Sequence, residues 1–153
     1  MHDIRDIWLY ANNILWSSRQ MINMQLKPLK LSSAEGNILL HLLTREGPIP
    51  QEEIVAQLDI SKAAVSRALK SLQEKGYIER EKDTRDKRAS LVLLTKKANE
   101  IKPQIEQIYN NVFSIASQGV SPQEIEAFVQ LFARVSDNFS KARTGEGSHR
   151  GQA

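Results

Sequence analysis

The stretch "SKAAVSRALKSLQEKGYIEREKDTRDKRASLVLLT", residues 61–95, joins an amphipathic helix to a charged hairpin. On a helical wheel, Ala68, Leu69 and Leu72 fall within about 60° of Val65 and form an apolar face. The opposite face begins with small residues and carries hydrogen-bond donors, which are hydroxyls and cations. With Ser61 at the helix start included, its residues are Ser61, Ala63, Ser66, Arg67 and Lys70. The pattern predicts a helix over 61–75, which Ser61 caps and Gly76 ends.

The outer face of this helix has the chemistry of a DNA reader. Small residues at its start allow close approach to the floor of a groove, and Arg67 can donate two hydrogen bonds to guanine. Hydroxyls, Lys70 and the helix N-terminus suit phosphates. The alternative is an amphipathic core helix with a solvated basic face. A short helix in "IPQEEIVAQLDI", residues 49–60, precedes a tight turn, and the pair predicts a helix-turn-helix.

The sequence after Gly76 predicts a hairpin of two short strands, "YIEREK" (77–82) and "SLVLLT" (90–95). Its polar tip, "DTRDKR", is placed to reach beyond the helix toward a minor groove, where a narrow A·T-rich site attracts an inserted arginine. Arg85 is the candidate for insertion, and Lys87 and Arg88 are expected to face the flanking backbone. Taken alone, the loop is more typical of a solvated hairpin tip.

The rest of the chain reads as flanking helices. Apolar residues at helical spacing predict helices over 3–26, within 32–47, from Thr95 to about 118 and from Ser121 to about 139. The predicted fold class is mainly α with a small β-hairpin wing (α+β). Residues 31–95 are expected to form a winged helix-turn-helix lobe, 1–30 and 96–142 a helical dimerisation layer, and 143–153 a disordered tail.

Composition limits the function classes. The chain has 153 residues, a net charge of +3 and no cysteine. Nine basic against five acidic residues between positions 61 and 88 give that segment +4, so the remainder sums to −1 and the positive charge is local. No nucleophile motif, phosphate-binding glycine loop or histidine cluster stands out. We therefore expect a cytoplasmic protein with no membrane span, no metal, no cofactor and no enzymatic activity.

The combined pattern over 61–98 resembles the MarR family of winged helix-turn-helix transcription regulators. Its wing signature is present as Asp83, Arg85, Asp86 and Arg88, followed by Leu94 and Thr95. The resemblance, which extends over about residues 3–142, implies a homodimer on a pseudo-palindromic double-stranded operator. The fourth helix would enter the major groove and the wing (82–90) the minor groove. The resemblance assigns DNA contact to Ser61, Lys62, Ala63, Ser66, Arg67 and Arg85.

The resemblance also implies a pocket for a small anionic or aromatic effector, between the first helix, the second and the start of the fifth. Trp16, Arg19, Gln20 and His41 are the candidates to line it, with Arg19 meeting an anionic ligand. The alternative is that the aromatic and methionine side chains of the first helix are dimer core, as apolar stripes at helical spacing usually are. A repressor released by its effector is the leading hypothesis, and a winged helix that binds protein is the second.

Overall fold

The computed structural model describes residues 1–58, 60–86 and 88–149. Its helices and strands follow the predicted order with two additions, a short 3-10 helix (Lys27–Leu29) after the first helix and a short strand before the third helix. The helices are α1 (Ile4–Leu26), α2 (Ser33–Leu43), α3 (Gln51–Leu58), α4 (Lys62–Glu74), α5 (Lys96–Ala116) and α6 (Pro122–His149). The strands are β1 (Ile49–Pro50), β2 (Ile78–Lys82) and β3 (Ser90–Leu94). The predicted fold class, mainly helical with a small wing, is confirmed.

Reciprocal capping boxes begin three of the helices. In each, a side chain before the helix accepts from a backbone amide inside it, and an acidic side chain three residues later accepts from the capping residue's own amide. The pairs are Asp3 with Asp6, Ser32 with Glu35, and Ser121 with Glu124. Each pair satisfies amides that have no partner within the helix, which is why these helices start where the sequence predicts.

The small sheet has the antiparallel order β1-β3-β2. β2 and β3 form the predicted hairpin, and β1 pairs with β3 through Ile49 opposite Val92 and Pro50 opposite Leu91. The sequence did not predict β1, because two residues are too few to show an alternating pattern. Its effect is to fix the hairpin to the start of α3.

The chain divides into two compact units, residues 1–113 and 114–153. In the first, one apolar core draws on α1, α2, α3, α4, the sheet and α5, with side chains such as Leu26, Leu39, Leu69, Val92 and Ile105 fully buried. The second contains the last turn of α5 and helix α6. The predicted division into a lobe and a dimerisation layer stays a prediction.

Helix α6 differs from the prediction at its end. It continues to His149, so residues 143–149, predicted to be disordered, are helical. The Thr144 hydroxyl donates to the carbonyls of Ser140 and Lys141. Proline is absent between Lys141 and His149, so the sequence permits the backbone hydrogen bonds of the helix to continue. Residues 150–153 lie outside the described residues.

Candidate nucleic-acid interface

Helix α4 is fixed at both ends by local sequence. The Ser61 hydroxyl accepts a hydrogen bond from the Ala64 amide at 3.1 Å, which caps the first turn. Gly76 has a φ of +82°, a left-handed conformation that glycine adopts without strain and that ends the helix. Between them one face is buried, by Val65, Ala68, Leu69 and Leu72. The face predicted from the wheel is therefore the one that packs.

The opposite face of α4 is open to solvent. All six residues expected to contact DNA on this helix are exposed: Ser61, Lys62, Ala63, Ser66, Arg67 and Lys70. Ala63, Ser66, Arg67 and Lys70 follow the spacing of a helical stripe, so their side chains lie on one side of the helix. The helix thus offers a narrow strip of small residues, hydroxyls and two cations.

The tip of the wing, residues 83–89, is held by its two aspartates. The Asp83 carboxylate accepts from the Arg85 amide at 2.9 Å, and the Asp86 carboxylate accepts from the Arg88 amide at 3.0 Å. Each aspartate thereby fixes the backbone of the arginine two residues on. Arg85 and Arg88 are exposed. Lys87, the third cation predicted here, lies outside the described residues.

Helix α3 contacts both the wing and helix α4. The Arg80 guanidinium, on β2, donates to the Gln51 side-chain oxygen at the start of α3, at 3.4 Å. A cleft of about 260 Å³ opens beside it and is lined by Lys62 from α4 and Arg88 from the wing. The structure therefore brings one predicted cation from each element to the same cleft. No role for Gln51 or Arg80 could be predicted from the sequence, because their contact depends on strand β1, which the sequence did not predict.

The four residues proposed for an effector pocket are divided between two places. Trp16, Arg19 and Gln20 are exposed on α1. His41 instead lines a cleft of about 630 Å³ between α2, the end of α3 and α5, which the other three do not line. The cleft is lined by Asn37, Leu40, His41, Thr44, Leu58, Glu106, Tyr109, Asn110 and Phe113.

This cleft has both apolar and polar walls. The His41 Nε2 atom is buried and has no hydrogen-bond partner among the described residues. Burial lowers the pKa of His41, the charge of Arg45 lowers it further, and Glu53 acts in the opposite direction. The Tyr109 hydroxyl donates to the Asn37 side-chain oxygen, and burial raises the pKa of Tyr109. The cleft therefore favours a neutral imidazole and a neutral phenol.

Among residues 1–58, 60–86 and 88–149, no group of three or more His, Asp or Glu side chains is arranged to hold a metal ion. None of the described helices combines the length and apolar character needed to cross a membrane.

The chain is similar to known regulators over most of its length. Residues 29–89 match the model of the MarR family. The transcriptional regulator SlyA is 26% identical, with a TM-score of 0.80 over 90% of this chain and 96% of its own. A MarR-family regulator from Silicibacter pomeroyi is 25% identical, with a TM-score of 0.75 over 84% and 86% of the two chains. A SlyA-like regulator from Listeria monocytogenes is 25% identical, with a TM-score of 0.76 over 93% of this chain and 92% of its own.

Fold, site and relatives agree on the class. A helix-turn-helix with an exposed basic recognition helix and a two-stranded wing defines a winged-helix DNA-binding protein. The chain is similar to the MarR family of transcriptional regulators, by sequence over residues 29–89 and by fold over most of its length, as the resemblance in its sequence predicted.

Proposed function

We propose that the protein is a homodimer that binds a pseudo-palindromic operator in double-stranded DNA and regulates transcription from it. The observation that carries this proposal is the composition of the exposed face of α4. Small residues and donors occupy that face, whereas the apolar residues of the same helix are buried. A helix of this kind fits a major groove, with the segment 61–75 as the recognition helix.

The residues of α4 have separate roles in this proposal. Arg67 reads base edges, because its guanidinium can donate two parallel hydrogen bonds to guanine. Ala63 lets the helix approach the bases closely. The phosphates are contacted by the helix N-terminus and by four side chains, those of Ser61, Lys62, Ser66 and Lys70. Because phosphate contacts position the protein and base contacts specify the sequence, substitutions in the two sets have different effects.

The wing, residues 82–90, reaches the neighbouring minor groove in this proposal. Arg85 enters it, and Lys87 and Arg88 meet the flanking phosphates. The support is the backbone of the tip, which Asp83 and Asp86 hold through the amides of Arg85 and Arg88. Since these two contacts hold the backbone at Arg85 and Arg88, less conformational entropy is lost when the arginines bind.

Homodimerisation is supported by apolar side chains left exposed on each of the two units. On α1 these include Ile14, Leu15 and Trp16, which are 56–66% exposed. On α6 they include Phe128 and Val129, which are more than half exposed. Exposed apolar surface of this extent marks an interaction site, and a two-fold dimer is the commonest way to bury it. Two-fold symmetry also fits a pseudo-palindromic operator.

Regulation by a small anionic or aromatic effector is the last part of the proposal. The cleft around His41 supports it, since apolar residues such as Leu58 and Phe113 face a few polar groups there, as in small-molecule sites. Because the cleft reaches the end of α3, a ligand that shifts α3 also shifts α4. We propose that the effector releases the protein from a promoter that it represses. The assignment of Trp16, Arg19 and Gln20 to this effector stays a prediction.

Two competing hypotheses remain distinguishable. A winged helix that binds protein would present an apolar or acidic outer face on α4, whereas this face carries Arg67 and Lys70. An enzyme would need a reactive group of side chains, and the sequence suggests none. The absence of enzymatic activity and a cytoplasmic location stay predictions.

Genomic footprinting with the purified protein tests the function. We expect protection of one or more sites with two-fold sequence symmetry near promoters. If the folded protein protects no particular sequence more strongly than random DNA at moderate salt, the proposal is contradicted and the protein-binding hypothesis is favoured.

A further inference from the structure

The recognition helix is held from behind by a buried carboxylate. Glu35, in the first turn of α2, is only 6% exposed. Its Oε2 accepts from the Ser71 hydroxyl at 3.2 Å and from the Lys75 ammonium at 2.7 Å, both at the C-terminal end of the recognition helix. Its Oε1 accepts from the Ser32 amide in the capping box of α2. One side chain thus joins the start of α2 to the end of α4.

Lys75 extends this connection to the turn between α1 and α2. Its ammonium also donates to the Lys30 carbonyl at 2.7 Å. Lys30 has a φ of +56°, the only positive φ of a non-glycine residue in the described part of the chain. A non-glycine residue in this conformation is held there by its surroundings. The ammonium therefore bridges two separate elements at the back of the recognition helix.

The start of α5 fixes the same point from another side. The Lys97 ammonium donates to the Lys75 carbonyl at 2.6 Å and lies 4.6 Å from the centre of the Tyr77 ring. The Thr95 hydroxyl donates to the Gly76 carbonyl at 2.6 Å. The C-terminal end of α4 is thus tied to α2, to the α1–α2 turn and to α5.

The position of these contacts along α4 gives them a consequence for DNA reading. Ser71 is one turn and Lys75 two turns after Arg67, and at 100° per residue they lie about 40° and 80° around the helix from it, toward the buried face. A helix rises about 1.5 Å per residue, so Lys75 lies about 12 Å along the axis from Arg67. Because a helix of this length is stiff, contacts at 71 and 75 fix both its rotation and its depth at position 67.

We infer that Glu35 and Lys75 are positioning residues, which set the orientation of the recognition helix and thereby its discrimination between DNA sequences. The inference rests on the proposed function. Two other roles are open to these residues: Lys75, partly exposed, contacting a phosphate directly, or the pair stabilising the fold without affecting specificity. The three roles predict different results for one substitution.

Glu35→Gln is the informative variant. Glutamine has the same size and keeps an oxygen for the capping box of α2, but it presents an amide donor toward the Lys75 ammonium. The probes are the duplex that the wild-type protein selects from a random-sequence pool and a scrambled duplex of equal length, at one salt concentration. Glu74→Gln is the matched control, because Glu74 is exposed, neighbours Lys75 and carries the same charge.

We expect Glu35→Gln to reduce the ratio of selected to scrambled affinity by about tenfold, since a displaced helix loses at least one base contact. Affinity for the scrambled duplex should stay equal or rise, because a negative charge has been removed. Glu74→Gln should keep the ratio within about twofold. If Lys75 acts through a phosphate, Glu35→Gln raises affinity for both duplexes and keeps the ratio, which overturns the inference.

A purely stabilising role is separated by melting curves. In that case Glu35→Gln lowers the melting temperature but keeps the ratio at temperatures where circular dichroism shows a folded protein, and the inference fails. If Glu35→Gln does not fold, Ser71→Ala replaces it as the test, because it removes one hydrogen-bond donor to the same carboxylate. We expect Ser71→Ala to reduce the ratio of selected to scrambled affinity by a smaller factor. An unchanged ratio refutes the inference. A wild-type protein that selects no sequence contradicts the proposed function itself.

Discussion

Substituting Gly36 by alanine tests the packing between α1, α2 and α5. Gly36 is buried in α2, and a Cβ atom there would lie 2.5 Å from Leu26 Cδ1 and 3.2 Å from Leu26 Cδ2. It would also lie 3.1 Å from the Tyr109 hydroxyl oxygen. Optimal carbon separations are about 3.5–4.0 Å, so Leu26 or the helix must move. Leu26 is completely buried, and any movement meets other core side chains.

Two opposing effects set the magnitude. Replacing glycine by alanine inside a helix stabilises it by about 1 kcal/mol, because glycine loses more backbone entropy on folding. Overpacking a core costs about 1–3 kcal/mol. Since the Leu26 contact is far inside van der Waals distance, we expect the second effect to dominate, with a net loss of about 1 kcal/mol in the free energy of unfolding. For a chain of this size the melting temperature should fall by about 2–4 °C.

Urea unfolding followed by circular dichroism measures this change. Wild type, Gly36→Ala, Leu26→Ala and the double variant are compared at one protomer concentration, because dimerisation would couple to stability. Leu26→Ala alone should cost about 2–5 kcal/mol by leaving a cavity. The methyl group at position 36 fills part of that space, so the double variant should be more stable than the two losses predict together. If Gly36→Ala instead stabilises the protein by about 1 kcal/mol, the close contact with Leu26 is refuted.

Three further predictions concern function and pH. Arg67→Ala should lower affinity for the operator about tenfold more than for scrambled DNA, whereas Arg85→Ala should weaken binding most at A·T-rich flanks and reduce the salt slope by about one. Salt titrations on flank-swapped duplexes measure both, and unchanged affinities and slopes would remove DNA contact from helix and wing. Light scattering should give about twice the 17.3 kDa chain mass, and Leu15→Glu with Phe128→Glu should shift it toward one chain; a monomeric wild type refutes the dimer. Because the pKa of His41 is lowered from 6.5, the unfolded state binds the proton more readily, so wild type should lose stability as pH falls below 6.5. The urea midpoint should change less with pH in this range for His41→Gln than for wild type, and parallel curves for the two proteins would contradict this.

Much of the proposed DNA-reading surface could be predicted from the sequence, because it depends on local chemistry. Ser61 and Gly76 mark the ends of α4 by capping, which involves only neighbouring backbone groups. The spacing of Val65, Leu69 and Leu72 fixes the buried face and so the exposed face opposite. The repeated Asp-x-Arg of the wing predicts a turn, and the structure adds that each aspartate binds the backbone amide of the following arginine.

The contacts that hold this surface in place were decided by the tertiary structure alone. Glu35 meets Lys75 across 40 positions of sequence, and Arg80 meets Gln51 only because β1 brings α3 to the wing. The effector candidates show the same limit, since His41 lines a cleft that Trp16, also picked from the sequence, does not reach. Periodicity and capping describe which way a residue faces within its own element. They carry no information on which distant element it will face, because that depends on how the whole core packs.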